Sequence, residues 1–293
     1  MQIESLKVFC DVVESKSFSK AAVLNFISQS AVSQQIRGLE ERYEQKLIER
    51  GKRNLTPTPA GEILYEIARD VLARLEGMEH RLRELTRSVG GTVRVATIYS
   101  VGLHEFQPYL SEYMRRYPGV RVRVEYNRSN RIYDDVVGNA VDIGIVAYPA
   151  RRSGIDIQPF RSDELVLVCP PGHPFTAYKK IEMRKLAGQP FIAFDRDIPT
   201  RRAIDKILRD NEVRVRIAME FDNIETIKRA IEIDTGISIL PSMTVQREVA
   251  MHSLALVHFA RGSYQRPLGI LVKRGRRIPT AMQRFIDILL ERS

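Results

Sequence analysis

Residues 28–43 read SQSAVSQQIRGLEERY. Val32, Ile36, Leu39 and Tyr43 recur at helical spacing and form one apolar stripe. Ser30, Ser33, Gln34 and Arg37 gather on another face, with no large apolar side chain among them. Ser28 or Ser30 can accept from the free N–H groups of the first turn. Seryl, amide and guanidinium groups are the side chains that read base edges in a DNA major groove. Taken alone, the stretch is equally an ordinary surface helix, and its neighbours have to decide.

Upstream, residues 3–15 predict a helix with Leu6, Phe9, Cys10 and Val13 on one face. Ser17 is positioned to cap a short second helix through Ala21, Ala22 and Leu24, and Asn25 punctuates it. Helix, short helix, tight turn and longer helix is the helix-turn-helix order, in which the third element enters the groove. Downstream comes LIERGKRNLTPTPAG, residues 47–61. Leu47 and Ile48 predict a short strand and Leu55 its return, with Arg50, Lys52 and Arg53 at the tip. A basic hairpin tip beside a helix-turn-helix reads as a wing on phosphates or the minor groove, and otherwise as a solvated turn. Thr58-Pro59 is a helix start, and Gly90-Gly91 a stop. The helix between spans on the order of 45 Å at ~1.5 Å per residue. Leu64, Ala68, Val71, Leu75, Met78, Leu82 and Leu85 alternate four and three apart along it, a heptad seam that predicts pairing with a second chain. Packing on its own domain is the alternative.

From Thr92 the pattern changes to strands alternating with helices, an α/β region large enough for two lobes. TVRVATI, VRVRVEY, DIGIVAY, ELVLVC, FIAF, VRVRIAM, TGISILP, SLALVHF and PLGILVK read as strands. Helices are predicted at 103–117, 130–139, after Pro199, at 223–234 and at 279–292.

Composition bounds the function. The 293 residues carry a formal charge of +10, which invites an anionic partner. Residues 1–90 nevertheless hold 14 Lys and Arg against 13 Asp and Glu, so the excess lies in the C-terminal region. Local placement, not net charge, has to identify a DNA-binding head. No run approaches ~18 apolar residues, so no membrane span is expected. The N-terminus carries acids and no secretory pattern, so a cytoplasmic protein is expected. Cys10 and Cys169 sit on apolar-looking segments and read as buried reduced thiols; a redox switch is the sharper alternative. No CxxC or histidine cluster offers a metal site, and no cofactor is expected.

The stretch 18–61, FSKAAVLNFISQSAVSQQIRGLEERYEQKLIERGKRNLTPTPAG, closely resembles the N-terminal signature of the LysR-type transcriptional regulators. The spacing from the A-A of the second helix through S-x-S-A-V-S to L-x-x-R and T-P-A-G fixes many positions in register. VDIGIVAY, LAGQPFIAF and GISILP resemble C-terminal landmarks of that family in order and distance, so the likeness covers essentially the whole chain. Ser30 stands where many members have proline, and Pro57 where leucine is usual. The resemblance implies an α/β protein overall: an all-α winged helix-turn-helix head (1–58), a linker helix (59–89) and a two-lobed domain like the type 2 periplasmic binding proteins (90–293). Lobe 1 would take about 92–161 and 267–293, and lobe 2 about 162–266, with crossings near 161–162 and 265–267. It also implies homodimers assembling to homotetramers on pseudo-palindromic double-stranded DNA. A small effector would switch them, with RNA polymerase as a partner where the regulator activates.

For DNA, Gln29, Ser33, Gln34 and Arg37 are expected on bases. Ser28 and Ser30 are expected on phosphate or as caps, and Arg50, Lys52 and Arg53 on phosphate or in the minor groove. For the effector, the family places the ligand between the lobes at strand ends and helix starts. In this sequence that means Thr97, Tyr99 and Ser100; Arg128, Ser129 and Asn130; Phe194, Asp195 and Arg196; Thr200 and Arg201; and Asn223, Glu225 and Thr226. Hydroxyls and free N–H groups at helix starts favour anions. Arg128, Arg131, Arg196, Arg201 and Arg202 make that cleft basic on paper, so a small anionic metabolite, a carboxylate or an inorganic anion, is expected. Asp195 and Glu225 could instead pair with those arginines and cancel them.

An enzyme on the same two-lobed fold is the first competing reading, and no G-x-S-x-G, Walker, G-x-G-x-x-G or metal spacing supports it. A non-specific DNA-coating protein would carry its charge on the reading head, which is nearly neutral. The near-neutral head further implies weak binding alone, with affinity supplied by several heads held together.

Overall fold

In the computed structural model, residues 3–50, 55–84 and 89–291 are described. They form two units, one from residues 1–88 and the other from residues 89–293 apart from a three-residue turn at 138–140.

The N-terminal unit opens with α1 (Ile3–Ser15), α2 (Phe18–Asn25) and α3 (Gln29–Tyr43). Ser17 caps α2 by accepting from Lys20 N, and Ser28 caps α3 by accepting from Ala31 N at 3.1 Å. Phe26 in the left-handed region makes the tight turn between them. Leu6, Phe9, Val12, Ala21, Val32, Ile36 and Leu39 interlock as one buried core, as the periodicity requires. Tyr43 departs from the expected stripe: at the end of α3 it lies past the core and is 41% exposed.

The wing follows as β1 (Ile48–Arg50) antiparallel to β2 (Leu55–Pro57), with Ile48 opposite Pro57. Its tip, with Lys52 and Arg53, lies outside the described residues. The hydroxyl of Thr58 accepts from Gly61 N at 3.0 Å and donates to the Lys46 carbonyl at 2.5 Å, tying the start of α4 (Pro59–Glu84) to the strand entry. A Cβ on Gly61 would lie 2.0 Å from the Leu47 carbonyl oxygen, so T-P-A-G needs its glycine for close approach.

The predicted seam on α4 is corrected by packing only at its start. Ala68 is buried and Leu64 half-buried against the unit's own core. Val71 and Met78 of the predicted seam are exposed, and Ile63 and Ile67 extend that exposed apolar stripe at i, i+4, i+8 and i+15. Leu75 is half-buried, the side chain of Leu82 is not described, and Leu85 falls outside the described residues.

The C-terminal unit is built on one mixed sheet in the order β4-β3-β5-β12-β6-β11-β7, with β10 also paired to β6. β3 (Gly91–Thr97), β4 (Val120–Tyr126) and β5 (Ile143–Ala147) are parallel and are joined through α5 (Tyr99–His104), α6 (Gln107–Arg116) and α7 (Ser129–Val137). One helix was predicted where α5 and α6 stand. They are separate because Phe106 turns into the core and Pro108 opens a new first turn.

β6 (Ile155–Cys169) is one long strand where only its second half was predicted. Its first half pairs with the end of β12, and its second half with β10 and β11. Along the chain follow β7 (Lys180–Ile181), β8 (Pro190–Phe194), α8 (Pro199–Asp210), β9 (Arg216–Phe221), α9 (Ile224–Glu232) and β10 (Ser238–Pro241). Then come α10 (Gln246–Ala250), β11 (Ala255–Phe259), β12 (Tyr264–Lys273) and α11 (Thr280–Glu291). β8 and β9 form a separate parallel pair.

Among the described residues, three apolar clusters fill this unit, one of them a smaller group under α7 with Ala96, Ile132, Val136, Val146 and Leu271. Of the two larger ones, the first gathers residues from Leu165 to Phe259, and the second gathers Val93, Val95, Phe106, Tyr113, Ile143 and Phe160 with residues from Leu268 to Leu289. β6 and β12 are the strands that pass from one core to the other, and their register shifts between Pro267 and Gly269. This doubly crossed arrangement leaves the starts of α7, α8 and α9 facing a cleft between the two lobes.

Candidate nucleic-acid interface and ligand cleft

On α3 the core contacts of Val32, Ile36 and Leu39 turn the opposite face outward. Gln29, Ser30, Gln34 and Arg37 are exposed and Ser33 is half-buried. The hydroxyls of Ser28 and Ser30 lie 2.8 Å apart. A serine at position 30 leaves a backbone N–H and a hydroxyl where a proline would offer neither. The helix is held from its far end. Glu40 accepts from Leu47 N at 3.0 Å and from Lys46 Nζ at 3.1 Å. Burial alone would raise the Glu40 carboxyl; these donors hold it below the usual carboxylate range. Only the backbone of Arg50 is described, at the end of β1.

The cleft encloses about 620 Å³, the size of a small-molecule site. Of the expected residues, Tyr99, Ser100, Arg128, Ser129, Asn130, Phe194, Thr200 and Asn223 line it. The other six do not. Thr97 is fully buried beneath α5. Asp195 accepts from Arg128 at 3.0 Å. Arg196 is solvent-exposed, 3.8 Å from Glu220. Arg201 turns inward, donating to the Phe194 carbonyl at 2.5 Å, Glu220 at 2.6 Å and Asp205 at 2.8 Å, so it braces α8 rather than facing a ligand. Glu225 takes His104 at 2.7 Å and Lys228 at 3.0 Å instead of an arginine of the cleft. Burial would raise its carboxyl, but those two donors lower it. Thr226 is consumed by the Asn223 cap of α9.

The charge of the cleft also differs from the expectation. Arg128 reaches from one lobe to three carboxylates of the other: Asp195 and Asp197 at 3.0 Å, and Asp222 at 3.3 Å. Arg131 is held by Asp135 at 2.9 Å. Cations that line the cleft without a described carboxylate partner are Arg151, Arg202 and Lys206. Of these, sequence reasoning named only Arg202. Arg151 follows β5 in a loop pinned by the Tyr133 hydroxyl, which donates to Ala150 O and accepts from Ala150 N. Arg266 also lines the cleft and was missed, because on sequence it stands at a lobe crossing, just before the strand read from Pro267.

Residues 3–62 match the bacterial regulatory helix-turn-helix model of the LysR family, and residues 86–293 match its LysR substrate binding domain model. The chain belongs to the LysR family of transcriptional regulators.

Among relatives of this regulator is a probable RuBisCO transcriptional regulator of Cyanidioschyzon merolae, 29% identical over 272 residues, covering 91% of this chain and 90% of that one. The structure of full-length CbnR complexed with its target DNA aligns with a TM-score of 0.73 at 19% identity, covering 100% and 99% of the two chains. The regulatory domain of CcmR from Synechocystis PCC6803, in complex with 2-PG, aligns with a TM-score of 0.64 at 26% identity, covering 69% of this chain and 96% of that one. The family shows a DNA-binding regulator with an effector-binding domain, and its relatives are regulators rather than enzymes. Among the described residues no helix is long and apolar enough to cross a membrane. Both cysteines are free and buried, and burial pushes their thiols up to about 12 for Cys10 and about 11 for Cys169. That disfavours the thiolate a redox switch needs.

Proposed function

We propose that a small anionic metabolite, bound between the lobes, switches this LysR-type regulator on its DNA. The observation that carries this reading is the cleft itself. The starts of α7, α8 and α9 converge on it, and Arg151, Arg202 and Lys206 line it without a described carboxylate partner. Ile198, which precedes α8, offers no side-chain cap, leaving first-turn N–H groups to an anion. The CcmR regulatory domain with 2-PG supports a small ligand in this kind of domain. A ligand shifts the lobes only by binding one arrangement better than another.

The division of labour follows the family: head 1–58, linker 59–89, effector domain 90–293. Gln29, Ser33, Gln34 and Arg37 meet bases, Ser28 and Ser30 meet phosphate, and the wing with Arg50, Lys52 and Arg53 follows the backbone. The regulator works as a homodimer pairing to a homotetramer in the cytoplasm, on pseudo-palindromic sites, and an activator of this design would also touch RNA polymerase. The pairing face of α4 is the exposed stripe of Ile63, Ile67, Val71 and Met78.

Thermal unfolding of the full chain against a panel of carboxylates, phosphates, neutral solutes and amines tests the ligand class. At least one anion is expected to raise the midpoint and alter the footprint upstream of neighbouring genes. Stabilisation by neutral or cationic solutes only would overturn the anionic reading.

A further inference from the structure

We propose that Arg266, where the chain returns from the second lobe to the first, binds an acid oxygen of the anionic effector at the wall of the cleft. This rests on the anionic reading above and names the residue that recognises the charge. Arg128, the obvious candidate on sequence, is occupied by Asp195, Asp197 and Asp222. Arg266 is not comparably held.

Its side chain is 1% exposed, and it is among the largest fully buried side chains of the described protein. It donates from Nη1 to Ser100 Oγ at 2.9 Å. Its contacts to Glu105 and Asp163 are long, at 3.3 and 3.5 Å. Its Nε has no hydrogen-bond partner. For comparison, Arg94 meets Asp142 through Nε at 3.2 Å and Nη2 at 3.0 Å, a filled fork. A guanidinium offers five donors, and a buried one left short of acceptors keeps an uncompensated desolvation cost.

Arg266 and its partner Ser100 both line the cleft, so the missing acceptor can come from a ligand. The site suits a small, charged oxygen. Little surface is accessible, which excludes a bulky group. Of the carboxylates nearby, Asp163 accepts from Ser242 at 3.0 Å, and Glu105 has Arg161 at 3.5 Å without a hydrogen bond between them. Burial pushes the Glu105 carboxyl up, against the pull of Arg266.

The position adds a consequence for switching. Arg266 pairs with Asp163 across β12 and β6, the two strands that cross between lobes. It touches Ser100 and Glu105 of lobe 1, and through Asp163 it is linked to Ser242 of lobe 2. An acid oxygen on Nε competes with those contacts at the crossing itself, so occupancy is felt by both lobes.

The test uses full-length wild type, Arg266→Lys and Arg266→Gln, titrated calorimetrically with inorganic phosphate, acetate, malonate and 2-PG at constant ionic strength. At least one probe is expected to bind wild type saturably and to bind both variants roughly 10- to 100-fold more weakly, the range for a lost charge-assisted hydrogen bond. Circular dichroism checks that the variants fold. Should Arg266→Gln not fold, arginine-Nε nitrogen resonances of wild type, assigned with Arg266→Lys, decide: the Arg266 signal moves on saturation. Wild-type affinity in the folded variants, or an unmoved Arg266 resonance at saturation, overturns the assignment and leaves the anionic reading standing. A wild type that binds none of the probes overturns both.

Discussion

The outward face of α3 and the wall of the interlobe cleft were both read as polar binding surfaces, yet they are built in opposite ways. On α3, Gln34 and Arg37 are exposed while Val32, Ile36 and Leu39 fill the core beneath them. In the cleft, most of the arginines the sequence offered are already engaged. Arg201 is spent bracing α8, Arg131 is held by Asp135, and Arg128 bridges the lobes. The difference teaches where binding groups come from. A helix face is chosen by a local period of 3.6, so its free side chains follow from spacing. A cleft is assembled from distant loops, and only tertiary pairing decides which charges remain available.

The strongest way to break this contrast is to mutate one arginine of each kind. Arg201→Gln removes a 5% exposed guanidinium from Glu220, Asp205 and the Phe194 carbonyl. It is expected to cost about 3 kcal/mol in the denaturant unfolding of the effector domain, because several charge-assisted hydrogen bonds of one buried guanidinium are lost at once. Arg37→Ala should leave unfolding within about 0.5 kcal/mol, as an exposed helix position does. If the two variants destabilise alike, the distinction between engaged and available arginines is wrong. Next in size is Gln34→Ala, expected to lose about 1–3 kcal/mol of discrimination between a specific site and random DNA at fixed salt. Discrimination equal to wild type in competition binding would remove Gln34 from the base-reading set.

Much of the fold was legible because it rests on local signals. Ser17 caps the helix it was read to cap, and of Ser28 and Ser30 it is Ser28 that caps α3. Thr58-Pro59 starts α4, and β5 is buried throughout as its unbroken apolar run implies. What was not legible depends on distance. The first half of β6 alternates polar residues and does not look like a strand, but β12 pairs with it. On α4, Leu64 and Ala68 were placed in the pairing seam but pack on the head's own core, because an apolar face broad enough for two partners does not say which edge its own core takes. In the cleft, Arg151 and Arg266 carry no motif. Their place follows from a loop pinned by Tyr133 and from a strand that crosses between lobes.

A smaller effect sharpens the cleft side. Arg128 is 43% exposed and its three carboxylates lie in moderate solvent, so screening limits what the cluster contributes. Arg128→Gln is expected to cost about 1 kcal/mol or less in stability. It should still raise hydrogen exchange around residues 195–200, since the cross-lobe tie is lost. Unchanged exchange there would mean that the cluster decorates the cleft without holding it.

The smallest effect concerns the head. Glu40 accepts from Leu47 N and Lys46, and its carboxyl sits below the ordinary range in the folded chain. A group whose folded pKa is depressed contributes stability above its unfolded value and loses it as pH falls through the folded one. The window therefore opens near the ordinary glutamate value of about 4.3 and closes below it. Glu40→Gln should lower head stability by about 1 kcal/mol at pH 7, with the gap to wild type shrinking as the pH falls through that window. A gap that stays constant into acid would show that the Leu47 contact works through shape alone. A gap that closes near neutrality would point to a different titrating group. Because Glu40 lies at the far end of α3 from Gln29 and Ser33, its loss should also weaken DNA binding alike at all sites. That outcome would separate holding the reading helix from reading with it.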